Sequence, residues 1–275
     1  MVLNAENAPA APESVKMIEI YGSQWHLRTR KASTEKKKTN LGKLGLIISV
    51  LGIIVAFVPV ILTTFSIGHF RENMSIWMGF GLVTFLLIAG ILVPRFARLV
   101  DSYSNFIRGL QAQDTLIAIL EKSLHGQWWL FRDLKLPVKD GDIDVVLLGP
   151  RGIYALEVKA YQGEYRNRGD RWQQKTGLFW RGVARNPTLQ VRQHGVNIRQ
   201  YLRSKSTAQF ITPRIVWAGP GQVVLQKPAV PVWFLDTPHL WQEDMLRQGE
   251  LSPQVIQSVA TILKELCREE PEVQK

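Results

Sequence analysis

One cysteine, Cys267, stands in 275 residues. A single thiol excludes an internal disulfide and a cysteine-based zinc site, and it suits a reducing compartment. Its helical setting marks it as a packing residue rather than a nucleophile. Histidine is nearly as scarce: none of the five forms a spaced pair suited to zinc, and His194 reads as a helix-surface residue. Acidic side chains are outnumbered, 23 against 34 Lys and Arg, which leaves a formal charge of +11. Internal repeats are missing. No short apolar core ends in a small-residue cleavage site, so a cleaved signal peptide is not expected.

Charge is missing altogether from two long runs. Residues 44–68 hold 25 uncharged residues and 74–94 hold 21, each enough to cross a hydrocarbon core that needs about 20. Segments that span must be helical, because lipid offers the backbone no other partner. A buried helical hairpin in a soluble protein is the competing reading, and it is disfavoured because neither run shows an amphipathic stripe. Arg28, Arg30, Lys31, Lys36, Lys37, Lys38 and Lys43 precede the first run, and Arg95, Arg98 and Arg108 follow the second. Only Arg71 lies in the five-residue connection His69–Asn73. Positive charge therefore flanks the outer ends, which predicts two membrane spans with both termini cytoplasmic. Residues 1–43 read as a basic cytoplasmic tail that can touch anionic lipid, with a short ordered piece around Met17–Leu27. Residues 95–108 read as a helical connector, and 109–275 as the folded domain, with a core at 109–205.

In that domain a helix is expected from Arg95 to about Ser123, continuous or broken near Gly109. Strands follow around Trp128–Leu134 and Tyr165, the latter turning at Asn167-Arg168-Gly169-Asp170. A helix opens at Asn186-Pro187, strands lie at Ile211–Trp217 and Val230–Leu235, and Ser252-Pro253 starts a last helix to about Arg268. The pattern predicts an α/β domain built on a mixed sheet flanked by helices.

The chemistry lies in one hairpin. Asp142-Ile143-Asp144-Val145-Val146-Leu147-Leu148 and Gly152-Ile153-Tyr154-Ala155-Leu156-Glu157-Val158-Lys159 are joined through Gly149-Pro150-Arg151-Gly152, with Pro and Gly where a type I turn prefers them. If Gly149 faces Gly152, Asp142 meets Lys159 and Asp144 meets Glu157. Opposed like charges destabilise a sheet, and a hard divalent cation would relieve them. Lys159 projects from the same face as Glu157. The competing reading is an amphipathic hairpin whose polar face meets water. Spacing alone is weak, since Glu35-Lys36-Lys37 in the basic tail repeats it without a strand.

Asp144, Glu157 and Lys159 on adjoining strands after a helix resemble the PD-(D/E)xK nuclease core. The ordered run from about Gly109 to Tyr201 resembles, within that group, the nuclease-related domain called NERD. It is carried by the helix bearing Asp114, Leu136-Pro137, Ile143-Asp144, Arg151-Gly152-Ile153, Leu156-Glu157-Val158-Lys159, Tyr161-Gln162-Gly163, Trp172, and Asn186-Pro187 followed by Gln190. The resemblance implies a restriction-endonuclease-like fold and a phosphodiesterase site that uses magnesium or manganese. Asp144 and Glu157 would hold the metal, and the Val158 carbonyl would complete the set. Lys159 would orient the attacking water or steady phosphate charge. Asp114 falls where the family usually has Glu, and Gln190 would reach substrate or a metal-bound water. Val145 stands where the family often has His, and Ala160 where it often has Asn. These departures keep a second reading open, a weak or inactive module that binds nucleic acid, protein or anionic lipid at the membrane.

Charge bears separately on the substrate. From Lys159 through Lys205 there are eleven Lys or Arg and two acidic residues. Arg166, Arg168, Arg171, Lys175, Arg181 and Arg185 are interleaved there with Tyr161, Tyr165, Trp172, Phe179 and Trp180. Cations among aromatics suit the phosphates and bases of DNA or RNA.

Overall fold

The computed structural model describes residues 19–22, scattered positions in 32–54, and 74–268 apart from 125–127 and 138–141. Two compact units divide the chain, one of residues 28–107 and one of 1–27 with 108–275. The second candidate span opens helix α1, Met74–Ser123, which runs through Pro94 without a break near Gly109. Candidate span 44–68 lies largely outside the described residues. Among the described residues, no helix is long and apolar enough to cross a membrane.

The larger unit is mixed α/β. Its central sheet has six strands: β1 (Glu19–Gly22), β2 (Trp129–Lys135), β3 (Asp142–Gly149), β4 (Gly152–Lys159), β8 (Ile211–Trp217) and β10 (Val232–Phe234), in that spatial order. β2, β3 and β4 run antiparallel, while β1 joins β2, and β8 joins β4 and β10, in parallel. β1 comes from the ordered piece expected before the membrane runs and covers the edge of β2 with four residues.

A second sheet was not foreseen. It holds β5 (Glu164–Arg168), β6 (Arg171–Thr176), β7 (Phe179–Gly182) and β9 (Gln222–Gln226), ordered β7-β6-β5-β9. The expected strand at Tyr165 is β5, the turn after it leads into β6, and Tyr165 and Trp172 enter the main core from the two strands. Trp217 at the end of β8 joins the sheets: its ring stacks on Trp172 at 6.0 Å and meets Tyr161 and Tyr165 edge-on. The chain then turns tightly under Tyr161, whose carbonyl accepts from Gly221 at 3.0 Å. A Cβ at Gly219 would collide with the Tyr161 backbone, so only glycine fits this approach.

Helices cover both faces. α2 (Pro187–Ser204) and α4 (Pro253–Arg268) supply Val191, Ile198, Leu202, Val259 and Leu263 to one core cluster. The end of α1, through Leu116 and Leu120, and α3 (Pro238–Leu246), through Trp241 and Met245, fill the other. Strand alternation predicts this division. It fails at one place: Phe131 and Leu134, three apart, share a cluster, as do Ile143 and Val146. The break is centred on Asp133, whose φ of +53° is left-handed, a conformation that Asp tolerates better than most residues.

Candidate active site

The turn that sets the hairpin forms as expected. Gly152 has φ +122°, and pairing runs from Gly149↔Gly152 to Val145↔Leu156. The ladder stops there, one step short of Asp144 and Glu157, which corrects the expected pairing of Asp142 with Lys159. On their other edges Asp142 still pairs with Lys135 of β2, and Lys159 with Trp217 of β8. The physical reason is that the Val158 N–H turns to the Asp144 side chain and donates to Oδ2 at 2.8 Å. Asp144 continues the alternation of Val146 and Leu148, and Glu157 that of Ile153 and Ala155, so both sit on the α2 side of the sheet.

Helix α2 closes the site from above. Asn186 caps it, accepting from the N–H groups of Thr188 and Leu189 and donating to the Asp170 carbonyl at 2.7 Å. Pro187 fills the first turn, as the sequence predicts. The cap aims one helical face at the hairpin. Gln190 Oε1 accepts from Lys159 Nζ at 3.0 Å, and the same ammonium donates to Glu157 Oε1 at 2.6 Å. His194, four residues beyond Gln190, places Nδ1 3.2 Å from Glu157 Oε2. That distance suits an ion pair, yet the two atoms are out of line for a hydrogen bond, so both are buried without a hydrogen-bond partner. His194 is thus not a surface residue, with a side chain only 13% exposed. The signal was available: positions 190 and 194 share a helix face.

These contacts divide the two carboxyls. Burial pushes Asp144 up to about 7, helped by the Glu157 charge and more weakly by Asp133, against the Val158 N–H and Lys159. Burial also pushes Glu157 up, but His194 and Lys159 outweigh it and hold that carboxyl below its usual range. Burial opposes the charge on Lys159, and the Glu157 carboxylate more than restores it. At neutral pH the pair therefore carries one secure negative charge and one that is easily gained or lost.

Asp133 is a group the sequence did not single out. Pairings Arg132↔Val145 and Leu134↔Ile143 bracket it opposite Asp144, and it is buried at 2% exposure. Asp114 is placed otherwise: its carboxylate is 64% exposed and forms an ion pair with Arg132 at 3.0 Å. Among the basic residues, Arg166, Arg168 and Arg171 line one cavity. Lys175 is neutralised by Glu164 at 2.8 Å. Arg181 pairs with Gln174, on the other face of the second sheet. Arg185 acts on Tyr161, beside Lys159.

Among the described residues no three His, Cys, Asp or Glu are grouped to hold a metal ion. Two carboxylates are nevertheless a suitable donor set for magnesium, which commonly takes one or two and fills its shell with water and phosphate. The unpartnered Glu157 Oε2 and the repulsion between the two acids fit such an ion.

No curated protein and no solved structure matches the chain. Residues 108–218, from the last turns of α1 to the residue after β8, match the family model of NERD, the nuclease-related domain, and this part of the chain is similar to that family.

Proposed function

We propose that the chain is a divalent-metal-dependent nuclease that hydrolyses phosphodiester bonds of DNA or RNA while anchored in a membrane, its domain on the cytoplasmic face. The observation that carries the reading is half-buried Asp144 beside buried Glu157, with Lys159 held between Glu157 and Gln190, inside the segment similar to a nuclease-related domain. Magnesium or manganese, held by Asp144, Glu157 and the Val158 carbonyl, would neutralise charge on the scissile phosphate. The protein's own part is positioning. Lys159 has three N–H donors and spends two on Glu157 and Gln190, which leaves the third for a phosphate oxygen or an attacking water. Glu157, ionised and backed by His194, keeps that ammonium charged.

The test is cleavage of DNA and RNA by the full chain with magnesium, with manganese and with EDTA. Metal-dependent cleavage is expected, reduced by about 10²-fold or more in Asp144→Asn and Glu157→Gln. Cleavage that survives both substitutions, or none with any metal, removes the reading. A second reading, a binding module without catalysis, is favoured by Asp114 being engaged with Arg132; the same assay separates the two.

Anchoring is supported by the two uncharged runs and by exposure. Leu46, Ile47, Val50 and Ile54, and Val83, Leu86, Leu87, Ile91 and Val93, are all large apolar residues facing outward, more than soluble surfaces usually tolerate in a patch. Cell membranes washed in alkaline carbonate are expected to retain the chain, and its release into the supernatant would overturn the anchor.

A further inference from the structure

The face of the second sheet turned away from the core is cationic. Register places Arg166 and Arg168 of β5, Arg171, Gln173 and Lys175 of β6, and Trp180 of β7 on it. Tyr165, Asn167 and Trp172 point the other way and are buried. Arg168 and Arg171 are directly paired across β5–β6, and among the described residues neither meets a carboxylate. Opposed like charges weaken a sheet unless a counter-charge lies between them. With Arg166 they line a cavity of about 260 Å³ whose other side-chain walls on this face, Gln173 and Gln226, are also polar. Arg166 is held in place: its Nε donates to Gln173 Oε1 at 2.7 Å, and its guanidinium lies 4.4 Å over the Trp180 ring. Ahead of Trp180 the β6–β7 turn carries Leu178, 91% exposed, next to Gly177 at φ +60°, whereas Phe179 opens β7 and, paired with Thr176, points to the opposite face.

We infer that this face is a platform for single-stranded nucleic acid, with phosphates in the Arg166–Arg168–Arg171 cavity and unpaired bases against Trp180 and the Leu178 tip. The inference rests on the nuclease reading and names the form of its substrate. The arginines alone would accept any polyanion. The apolar tip and the arginine-backed indole distinguish among them, because a duplex hides its base faces while a single strand offers one at every nucleotide. The platform is fixed to the catalytic face: Trp172 Nε1 donates to Thr188 of α2 at 2.8 Å, and Asn186, the α2 cap, holds the Asp170 carbonyl of the β5–β6 turn.

The experiment is fluorescence anisotropy with the full chain in neutral detergent and EDTA, using one labelled oligonucleotide alone and annealed to its complement. The single strand is expected to bind about tenfold tighter than the duplex, an advantage that Leu178→Ser with Trp180→Ser removes. Arg168→Gln with Arg171→Gln is expected to weaken both and to lower the salt slope by about two. Arg168, Arg171 and Leu178 are exposed and Trp180 is half-buried, and unchanged thermal unfolding of the variants verifies their fold. Equal affinity for single strand and duplex would overturn the platform, as would unchanged binding in both double variants. So would loss of affinity in those variants for phosphatidylserine vesicles but not for the oligonucleotide. Binding in EDTA needs no cleavage, so a chain that holds single strands and never cuts loses the nuclease reading and keeps the platform. A chain that cuts and binds both forms equally loses the platform alone.

Discussion

Asp144→Asn is expected to stabilise the fold by up to about 4 kcal/mol at pH 8 and by almost nothing at pH 4. The Asp144 carboxyl, buried and facing Glu157, titrates near 7 in the fold against an ordinary value of 3.8. A raised acid binds its proton more tightly folded than unfolded. Its contribution is therefore intact below the unfolded value, declines as pH rises between about 4 and 7, and is fully lost above. Asparagine keeps an acceptor for the Val158 N–H and carries no charge, so it escapes the loss. Urea unfolding across this pH range measures the difference. A variant less stable than the parent at pH 8 would show that the acid's burial is not what it costs the fold. A divalent ion should act in the same sense on the parent alone: magnesium is expected to raise its midpoint at pH 8 and to leave Asp144→Asn unmoved. Stability given up at one carboxylate would then be the measure of how strongly the site favours a cation.

Asp244→Ala is expected to cost about 3–5 kcal/mol, because it strands a buried charge. Arg214 on β8 is 5% exposed. Its Nε and Nη2 meet the two Asp244 oxygens at 2.6 and 3.0 Å, its Nη1 donates to the Pro213 carbonyl, and Trp233 Nε1 donates to the same carboxylate at 2.9 Å. Alanine removes three of these bonds together and leaves a guanidinium under Tyr154 and Trp233 with one partner. The contrast is Arg151–Glu250, where the carboxylate is 72% exposed and Glu250→Ala should cost less than about 1 kcal/mol. Denaturant midpoints for the two variants decide it; equal, small losses would mean that α3 is held by apolar packing alone. The pair bears on the candidate site as well, since β8 lies beside β4, the strand that carries Glu157 and Lys159, and pairs with both residues.

What the sequence made legible was local. Gly149-Pro150-Arg151-Gly152 fixed a turn, and the turn fixed the register that brings Asp144 toward Glu157. Asn186-Pro187 and Ser252-Pro253 marked helix starts because a cap and an N-terminal proline act within one turn of chain. The failures were of two kinds. β7 and β9 are short and mostly exposed, so they lack the apolar alternation that identifies a strand. Asp133 and the end of the β3–β4 ladder depend on a left-handed residue and on a backbone N–H diverted to a side chain, and neither has a spacing to read. His194 falls between these cases: its place on the Gln190 face was readable, but its burial depended on how α2 leans on β4.

β1 has a topological consequence. Glu19–Gly22 lies beside Trp129–Arg132 in one sheet, so the chain between them forms a closed excursion that leaves the domain and comes back to it. Under the anchoring proposed above, a bilayer crossed on the way out would have to be crossed again on the way home, so the number of crossings would be even. Two spans satisfy that arithmetic, and one does not. The four-residue strand thus acts as a latch, fastening the start of the chain to the sheet that carries the candidate site.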